Sequence, residues 1–128
     1  VPDPNTSITA LGNYSEITKS STASGVPSNL VNHLLTMPHG GPGKPILSAN
    51  FLRITGVNSW WDVGDEIWGN AISRKTDAKE HGWMVVYDDI NVRWQGGANQ
   101  CFIVTKGGQQ ISLVDIRGDF DFVMRLWW

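Results

Sequence analysis

The strongest constraint on the fold is the alternation of apolar side chains with a period of two residues. The run FDFVMRLWW, at residues 120–128, has an apolar residue at every second position, so these side chains share one face of an extended strand. The run ILSANFLRI, at residues 46–54, carries apolar side chains on both faces, which predicts a central strand. In DEIWGNAISRK, at residues 65–75, Ile67 lies opposite Glu66 and Trp68, as in a half-solvated strand. We therefore predict a mostly β fold.

A chain of 128 residues predicts one domain, which the distribution of polar residues divides into three parts. Residues 1–30, rich in Ser, Thr, Asn, Gly and Pro, are predicted to be an extended N-terminal segment with loops and one short strand. Residues 31–90 form the β core, and residues 91–128, whose β-rich runs are joined by GG and GD, form a terminal β-meander of the same domain. The best helical candidate, residues 27–35, is predicted to form two turns capped by Ser28. The predicted architecture is an antiparallel β-sandwich with long loops.

The distributions of charged and apolar residues argue against two classes of partner, nucleic acid and the membrane interior. The chain has 10 Lys and Arg against 12 Asp and Glu, and no basic run that would follow a phosphate backbone, so no nucleic-acid partner is expected. No apolar run reaches the roughly 18 residues of a membrane span, and the N-terminus has no pattern of an export signal, so no membrane insertion is expected. Because the chain begins with Val1 instead of methionine, we expect it to be a piece or a processed product of a longer protein.

The cysteine and the histidines indicate no metal or cofactor site. Cys101 is the single cysteine, and its apolar neighbours predict a small buried hydrophobic residue. His33, His39 and His81 lie far apart, and no HxH, HExxH or CxxC occurs. His39, in the glycine- and proline-rich loop MPHGGPGKP, is predicted to be an exposed turn residue. We expect neither a metal nor another cofactor.

Five carboxylates near aromatic residues suggest glycoside hydrolysis as one hypothesis: Asp62, Asp65, Glu66, Asp88 and Asp89. Acid and base catalysis requires two carboxyl groups at a defined separation across a cleft, and the spacing in the chain does not show such a separation. Solvated turn carboxylates are the alternative interpretation. No GxSxG motif occurs either, and we expect no enzymatic activity.

The seven tryptophans give the most specific indication of function. Trp60 and Trp61 follow the turn-like GVNS, and Trp94 precedes QGGANQ, where loops normally run over the surface. A flat aromatic face matches the apolar C–H face of a pyranose ring, and neighbouring polar groups can bond its hydroxyls. The predicted ligand-binding residues are Trp60, Trp61, Asp62, Arg93 and Trp94.

The competing interpretation is that these rings are buried in the core or against a second copy of the chain. Trp83 and Tyr87 flank an apolar strand and are predicted to pack in the core. Trp68 is predicted to pack on a sheet or a subunit seam.

The order of several segments resembles a known family. These segments are that of Tyr14, ASGVPSN at residues 23–29, LLTM at 34–37, ANFLRI at 49–54, EIWGNAISRK at 66–75 and GWMVVYDD at 82–89. In that order they resemble the C-terminal knob of bacteriophage tail fibres and of R-type pyocin fibres. Ile67, Trp68 and Arg74 match the element in which an aromatic strand precedes an arginine, and Trp83 and Tyr87 match the following aromatic strand with one position of shift.

The resemblance implies a knob domain, mostly β and assembled as a homotrimer, at the tip of a tail fibre in the virion. It implies a receptor-binding function in which a bacterial surface polysaccharide or lipopolysaccharide is recognised without chemistry and without a cofactor. Three alternatives stay open: a stand-alone carbohydrate-binding lectin, a fragment of a glycan-degrading tail enzyme, and a purely structural trimerisation module.

Overall fold

A computed structural model describes residues 6–11, 13–68, 82–99 and 101–128. These ranges contain strands and one short 3-10 helix, Leu113–Ile116, and no α-helix, so the prediction of a mostly β, antiparallel protein is confirmed. In chain order the strands are β1 (Thr6–Leu11), β2 (Tyr14–Ser20), β3 (His33–Pro38), β4 (Leu47–Ile54), β5 (Glu66–Trp68), β6 (Trp83–Tyr87), β7 (Asn91–Gly96), β8 (Phe102–Val104), β9 (Gln110–Ser112) and β10 (Phe120–Trp127). Within the same ranges, no helix has the length and apolar character needed to cross a lipid bilayer.

The largest sheet has five antiparallel strands in the order β1-β2-β10-β4-β5. β10 lies at its centre because the alternation of its sequence directs one apolar face into the core. The fully buried side chains of that face are Phe120, Phe122, Met124 and Leu126. β4 lies between β10 and β5, as its two apolar faces predict. β5, at the edge of the sheet, has a buried Ile67 between an exposed Glu66 and an exposed Trp68, which confirms the predicted half-solvated pattern for these residues. The remainder of the predicted strand lies outside the described residues.

The second sheet has the order β3-β7-β6, and β8 pairs with β9 in a hairpin. One hydrophobic cluster joins all three sheets. At its centre Trp94 of β7 contacts Phe122 of β10, with ring centroids 4.8 Å apart and planes at 60°. Cys101 is buried in this core, as predicted, and burial raises the pKa of its thiol.

The predicted helix at residues 27–35 is wrong, because the backbone leaves the right-handed helical region twice. Leu30 and Asn32 have φ angles of 53° and 58°, and β3 begins at His33. The Leu30 side chain is buried in the core, and its packing outweighs the weak local helix preference. The N-terminal segment also contains two strands where one short strand was predicted, because the polar-rich β2 gains backbone partners on both sides, β1 and β10.

The predicted C-terminal meander is wrong in its last step. β8 and β9 form a hairpin, but β10 pairs with β2 and β4 instead of β9. The 3-10 helix between them buries Leu113 and Ile116, and its start is bonded by the carboxylate of Asp115, which accepts the N–H of Ser112 at 3.1 Å. Gly118, with a φ angle of 91°, then turns the chain towards β10 in the five-stranded sheet.

The loop at residues 39–45 packs around the indole of Trp128. The ring lies 5.3 Å from the imidazole of His39, and its Nε1 donates to the carbonyl of Gly43 at 2.7 Å. The prediction that His39 is an exposed turn residue is wrong, since its side chain is fully buried. Both ring nitrogens are bonded: Nδ1 accepts the N–H of Gly41 at 3.1 Å, and Nε2 donates to the carbonyl of Asp88 at 2.9 Å.

Gly41 is expected to tolerate no side chain. A Cβ at this position would overlap the indole of Trp128, so we expect Gly41→Ala to lower the free energy of unfolding by about 1–3 kcal/mol. Gly107→Ala is the matched control, because the nearest atom to its Cβ would be Thr105 Oγ1 at 3.9 Å and neither glycine has a positive φ. Urea unfolding of both variants measures the difference. Equal unfolding midpoints would show that Trp128 does not occupy this loop.

Candidate functional site

The loop that contains the predicted site residues Trp60, Trp61 and Asp62 spans residues 55–65 and connects β4 to β5. Asn58 Oδ1 accepts the backbone N–H groups of both Trp60 and Trp61 at 2.9 Å, which orders the two tryptophans within one turn. Trp61 is only 7% exposed, and Trp60 packs partly buried against the same core. The prediction of two exposed indoles in this loop is therefore wrong for Trp61, because the turn directs that ring into the core. Asp62 is exposed.

Arg93 and Trp94 lie in β7, in the other sheet. Trp94 is fully buried, and its ring also lies 6.0 Å from that of Trp83, whose predicted burial is confirmed. The prediction that Trp94 lies in a surface loop is wrong, because strand pairing continues through it: Leu35 and Val85 are its neighbours in register.

Strand alternation turns Arg93 to the opposite, exposed face of that sheet. Its Nε and one terminal nitrogen donate to Gln95 Oε1 at 3.0 and 2.7 Å. The five predicted residues are thus divided between a loop of one sheet and two opposite faces of the other.

The most exposed of the seven tryptophans, all of which are described, is Trp68 at 48%. Its cross-strand neighbour is Phe51, and the two rings stack with centroids 4.6 Å apart and planes at 11°. Both rings lie on the outer face of the five-stranded sheet, the face opposite the hydrophobic core, and Phe51 is fully buried there. One face of the indole therefore covers Phe51, and this contact fixes the plane of the indole. We call these two stacked rings the Trp68 platform.

Arginine side chains pack beside the Trp68 platform. The guanidinium carbon of Arg125 lies 4.8 Å from the centroid of Phe51 and 5.9 Å from that of Trp68, while that of Arg53 lies 5.5 Å from Phe51. With the two rings only 4.6 Å apart, both distances of Arg125 can hold only if it sits alongside the stack. The outer face of the indole is left free by Phe51 and Arg125.

Two carboxylates connect these arginines into a network. Glu66 accepts from Trp68 Nε1 at 3.2 Å and pairs with Arg53 at 3.3 Å, so the plane of the indole is also set from its edge. Glu16 pairs with Arg125 at 2.9 Å and with Arg53 at 3.8 Å. The strand register explains the network, because Arg53 lies directly opposite Glu66 and Arg125 directly opposite Glu16.

The pKa of Glu16 is lower than its ordinary value although the group is partly buried. Burial acts to raise it, but the hydrogen bond and charge of Arg125, with smaller contributions from Tyr14 and Arg53, outweigh that effect. In return, the hydrogen bond to Glu16 raises the pKa of Arg125. On the same face, burial raises the pKa of Asp121, against the opposing charge of Arg53.

The lowered pKa of Glu16 predicts an acid-dependent loss of stability. A carboxylate whose folded pKa lies below its ordinary 4.5 stabilises the fold above that pH, and this contribution is lost as the pH falls through the lowered value. Between those two values we expect the urea midpoint of the wild type to fall more steeply with pH than that of Glu16→Gln. Val86→Ala, which changes an exposed side chain that does not titrate, should keep the wild-type slope. Parallel curves for all three proteins would contradict the role of Glu16.

A groove of about 320 Å³ lies along β5, between that strand and the turn of the β8–β9 hairpin. Its lining residues are Trp61, Asp65, Glu66, Ile67, Trp68, Val104, Thr105 and Lys106. Lys106 Nζ joins the hairpin turn to the predicted loop by ion pairs with Asp65 at 2.6 Å and Asp62 at 3.3 Å. The hydrogen bond of Lys106 lowers the pKa of Asp65, and the reverse interaction raises the pKa of Lys106. The groove thus combines two indoles with carboxylates, a hydroxyl and an ammonium group.

Part of this groove was predicted from the sequence. Asp62 and Trp61 were predicted as ligand-binding residues, and Trp61 lines it while Asp62 holds Lys106. Trp68 and Glu66 were correctly placed on one strand face, but Trp68 was predicted to pack on a sheet or a subunit seam and not to bind a ligand. The half-solvated pattern of that strand is the signal that indicates an exposed indole there. Lys106 had no such signal, since 44 residues separate it from Asp62.

Two of the five carboxylates considered for catalysis have lowered pKa values. In Asp65 the cause is the hydrogen bond from Lys106, followed by the backbone N–H of Asp62. In Asp88 the causes are the backbone N–H groups of Asn91 and Ile90. Both carboxylates are therefore ionised at neutral pH, which does not suit a general acid. In the part of the chain that the structure describes, no group of three or more His, Cys, Asp or Glu side chains is arranged to hold a metal ion.

Comparison with known proteins found no matching protein-family model, no matching curated protein and no matching solved structure. The resemblance to fibre knobs therefore rests on six short sequence segments alone.

Proposed function

We propose that this chain is a carbohydrate-binding domain without enzymatic activity, and that it holds a sugar ring against the free face of Trp68. The observation that carries the proposal is the stack of Trp68 on Phe51, which leaves an exposed, flat indole on the surface. Leaving a large aromatic face in water is unfavourable without a ligand, and the C–H face of a pyranose is its natural complement.

The surroundings of Trp68 support a sugar rather than a purely apolar ligand. Glu66, Asp65 and Lys106 line the same groove, so acceptors and a donor lie beside the indole. Ligand sites commonly join an apolar surface with a few placed polar groups, in volumes of about 300–1,000 Å³. A groove of about 320 Å³ is at the lower end of that range, which suits a single sugar unit of a longer glycan.

The contacts of the Trp68 platform fix the orientation of the indole without a ligand. The indole is fixed below by Phe51 and at its edge by Glu66 Oε1, and Glu66 is itself held by Arg53. A side chain that is already immobilised loses little conformational entropy on binding. This pre-organisation distinguishes Trp68 from an incidentally exposed aromatic residue.

The resemblance supports a more specific role for the same site. We propose a receptor-binding domain at the tip of a phage tail fibre or a pyocin-like fibre in the virion, recognising a bacterial surface polysaccharide or lipopolysaccharide. We further propose that the sheets form an antiparallel β-sandwich, which the contact of Trp94 with Phe122 supports.

Assembly as a homotrimer is part of this role. It is supported by the six described large apolar residues that are each more than half exposed in the single chain: Ile46, Leu47, Val57, Val63, Met84 and Ile90. Light scattering on the purified chain should return the mass of three copies. A stable monomer that still binds glycans would favour the stand-alone lectin instead.

The binding function is tested by adding the purified chain to an array of bacterial surface glycans and to neutral oligosaccharides in solution. We expect saturable binding to some members, accompanied by a change in tryptophan fluorescence as the exposed indole is covered. Binding to no member of the array would contradict the proposed function. Release of shorter saccharides from a bound glycan would instead favour the glycan-degrading alternative.

A further inference from the structure

We infer that the sugar unit held in the groove beside Trp68 carries no negative charge. This inference rests on the proposed function and adds the chemical class of its ligand: an uncharged hexose or N-acetylhexosamine, not a uronate, a sialate or a sugar phosphate. It depends on how the cations near the groove are already paired.

Among the described residues, three cations lie near the groove, and each of them is bonded to carboxylates of the same chain. Lys106 bonds to Asp65 and Asp62 at 2.6 and 3.3 Å. Arg53 lies between Glu66 at 3.3 Å and Glu16 at 3.8 Å.

The third cation, Arg125, lies between Glu16 at 2.9 Å and Glu66 at 3.9 Å. An anionic ligand would have to compete with one of these carboxylates for its cation. Among the described residues, the ion pairs of these three cations involve four carboxylates, Glu16, Asp62, Asp65 and Glu66, so the anion would also meet a net negative field.

The same carboxylates suit the hydroxyl groups of a neutral sugar. The side chain of Asp62 is 90% exposed, and its Oδ2 accepts from Lys106. The carboxylate therefore has capacity to accept further hydrogen bonds. Glu66 lines the groove next to the indole, where a ring stacked on Trp68 would direct its hydroxyls. Hydroxyl donors on ionised acceptors form strong hydrogen bonds, whereas a second carboxylate offers no donor.

The inference is tested with matched pairs of oligosaccharides that share their stereochemistry. Neutral oligomers of glucose, galactose, mannose and N-acetylglucosamine are compared with the same oligomers oxidised at C6 to uronates, by calorimetric titration of the full chain. We expect the uronate to bind roughly tenfold more weakly than its neutral parent. Equal or tighter binding of the uronates would overturn the inference while leaving the proposed function in place. If no oligomer of either kind binds, the proposed function fails and the inference fails with it.

A charge-reversing variant locates the effect. Asp62→Lys places a cation beside Lys106, which lines the groove, and should raise uronate affinity roughly fivefold relative to the neutral parent. Asp89→Lys makes the same change of charge in the exposed β6–β7 turn and should leave the ratio at the wild-type value. If both variants change the ratio alike, the selectivity arises from the overall charge of the chain, and the inference about the groove is wrong.

Discussion

Replacing Trp68 with alanine is expected to weaken glycan binding by roughly 30-fold, equivalent to about 2 kcal/mol, which is the loss typical of a central aromatic contact. The substitution removes the most exposed of the seven indoles, which lines the groove. Its effect on stability should be smaller, about 1–2 kcal/mol, because the ring is half exposed and its buried contact is mainly with Phe51. Calorimetric titration gives the first quantity and urea unfolding the second.

Two further variants separate stacking from stability. Trp68→Phe keeps a flat ring over Phe51 and should retain more affinity than the alanine variant. Val86→Ala removes an apolar side chain that is also 48% exposed, but from the other sheet, and should leave binding unchanged. Wild-type affinity in a folded Trp68→Ala variant would show that the sugar is bound elsewhere.

Replacing Trp94 with alanine is expected to cause the largest loss of stability, about 3–5 kcal/mol, because a fully buried ring leaves a cavity at the contact of the two larger sheets. Trp94→Phe should cost much less, about 1 kcal/mol or below. The indole Nε1 of Trp94 is buried and has no hydrogen-bond partner among the described residues, so the phenylalanine removes an unsatisfied donor along with some volume. Urea unfolding of both variants measures the contrast.

The Trp94 variants also test the sequence-based prediction that Trp94 contacts the ligand. Because the ring lies in the core, Trp94→Phe should bind glycans with wild-type affinity. A folded Trp94→Phe protein with wild-type stability and lost affinity would restore that assignment. A phenylalanine variant as unstable as the alanine variant would show that Nε1 has a partner.

Local patterns in the sequence predicted the strands that dominate the core. Alternation identified the inward face of β10 and the central place of β4, because both strands are long enough for the period to be clear. The pairing of β10 with β2 was not predictable in this way. It joins residues such as Glu16 and Arg125, which are 109 positions apart, and the nearer β9 was an equally plausible neighbour by local pattern.

The candidate site was only partly predictable for the same reason. The sequence could place Glu66 and Trp68 on one face, but the stacking of Trp68 on Phe51 depends on the register of two strands. Trp94 was assigned to a loop because glycines follow it, although Gly96 still lies within β7. Gly96 is itself needed there, since a Cβ would lie 2.8 Å from the sulfur of Cys101. A glycine that ends a strand and a glycine that permits close packing look alike in a single sequence.

The most direct test of the Trp68 platform is to follow the seven indole N–H signals by nitrogen-15 NMR while a neutral oligosaccharide that binds the chain is added. The Trp68 signal is assigned from its loss in Trp68→Phe. The expected result is a saturable shift of this signal, with that of the buried Trp94 unchanged. A saturable shift confined to other indoles, with Trp68 unmoved, would contradict the account.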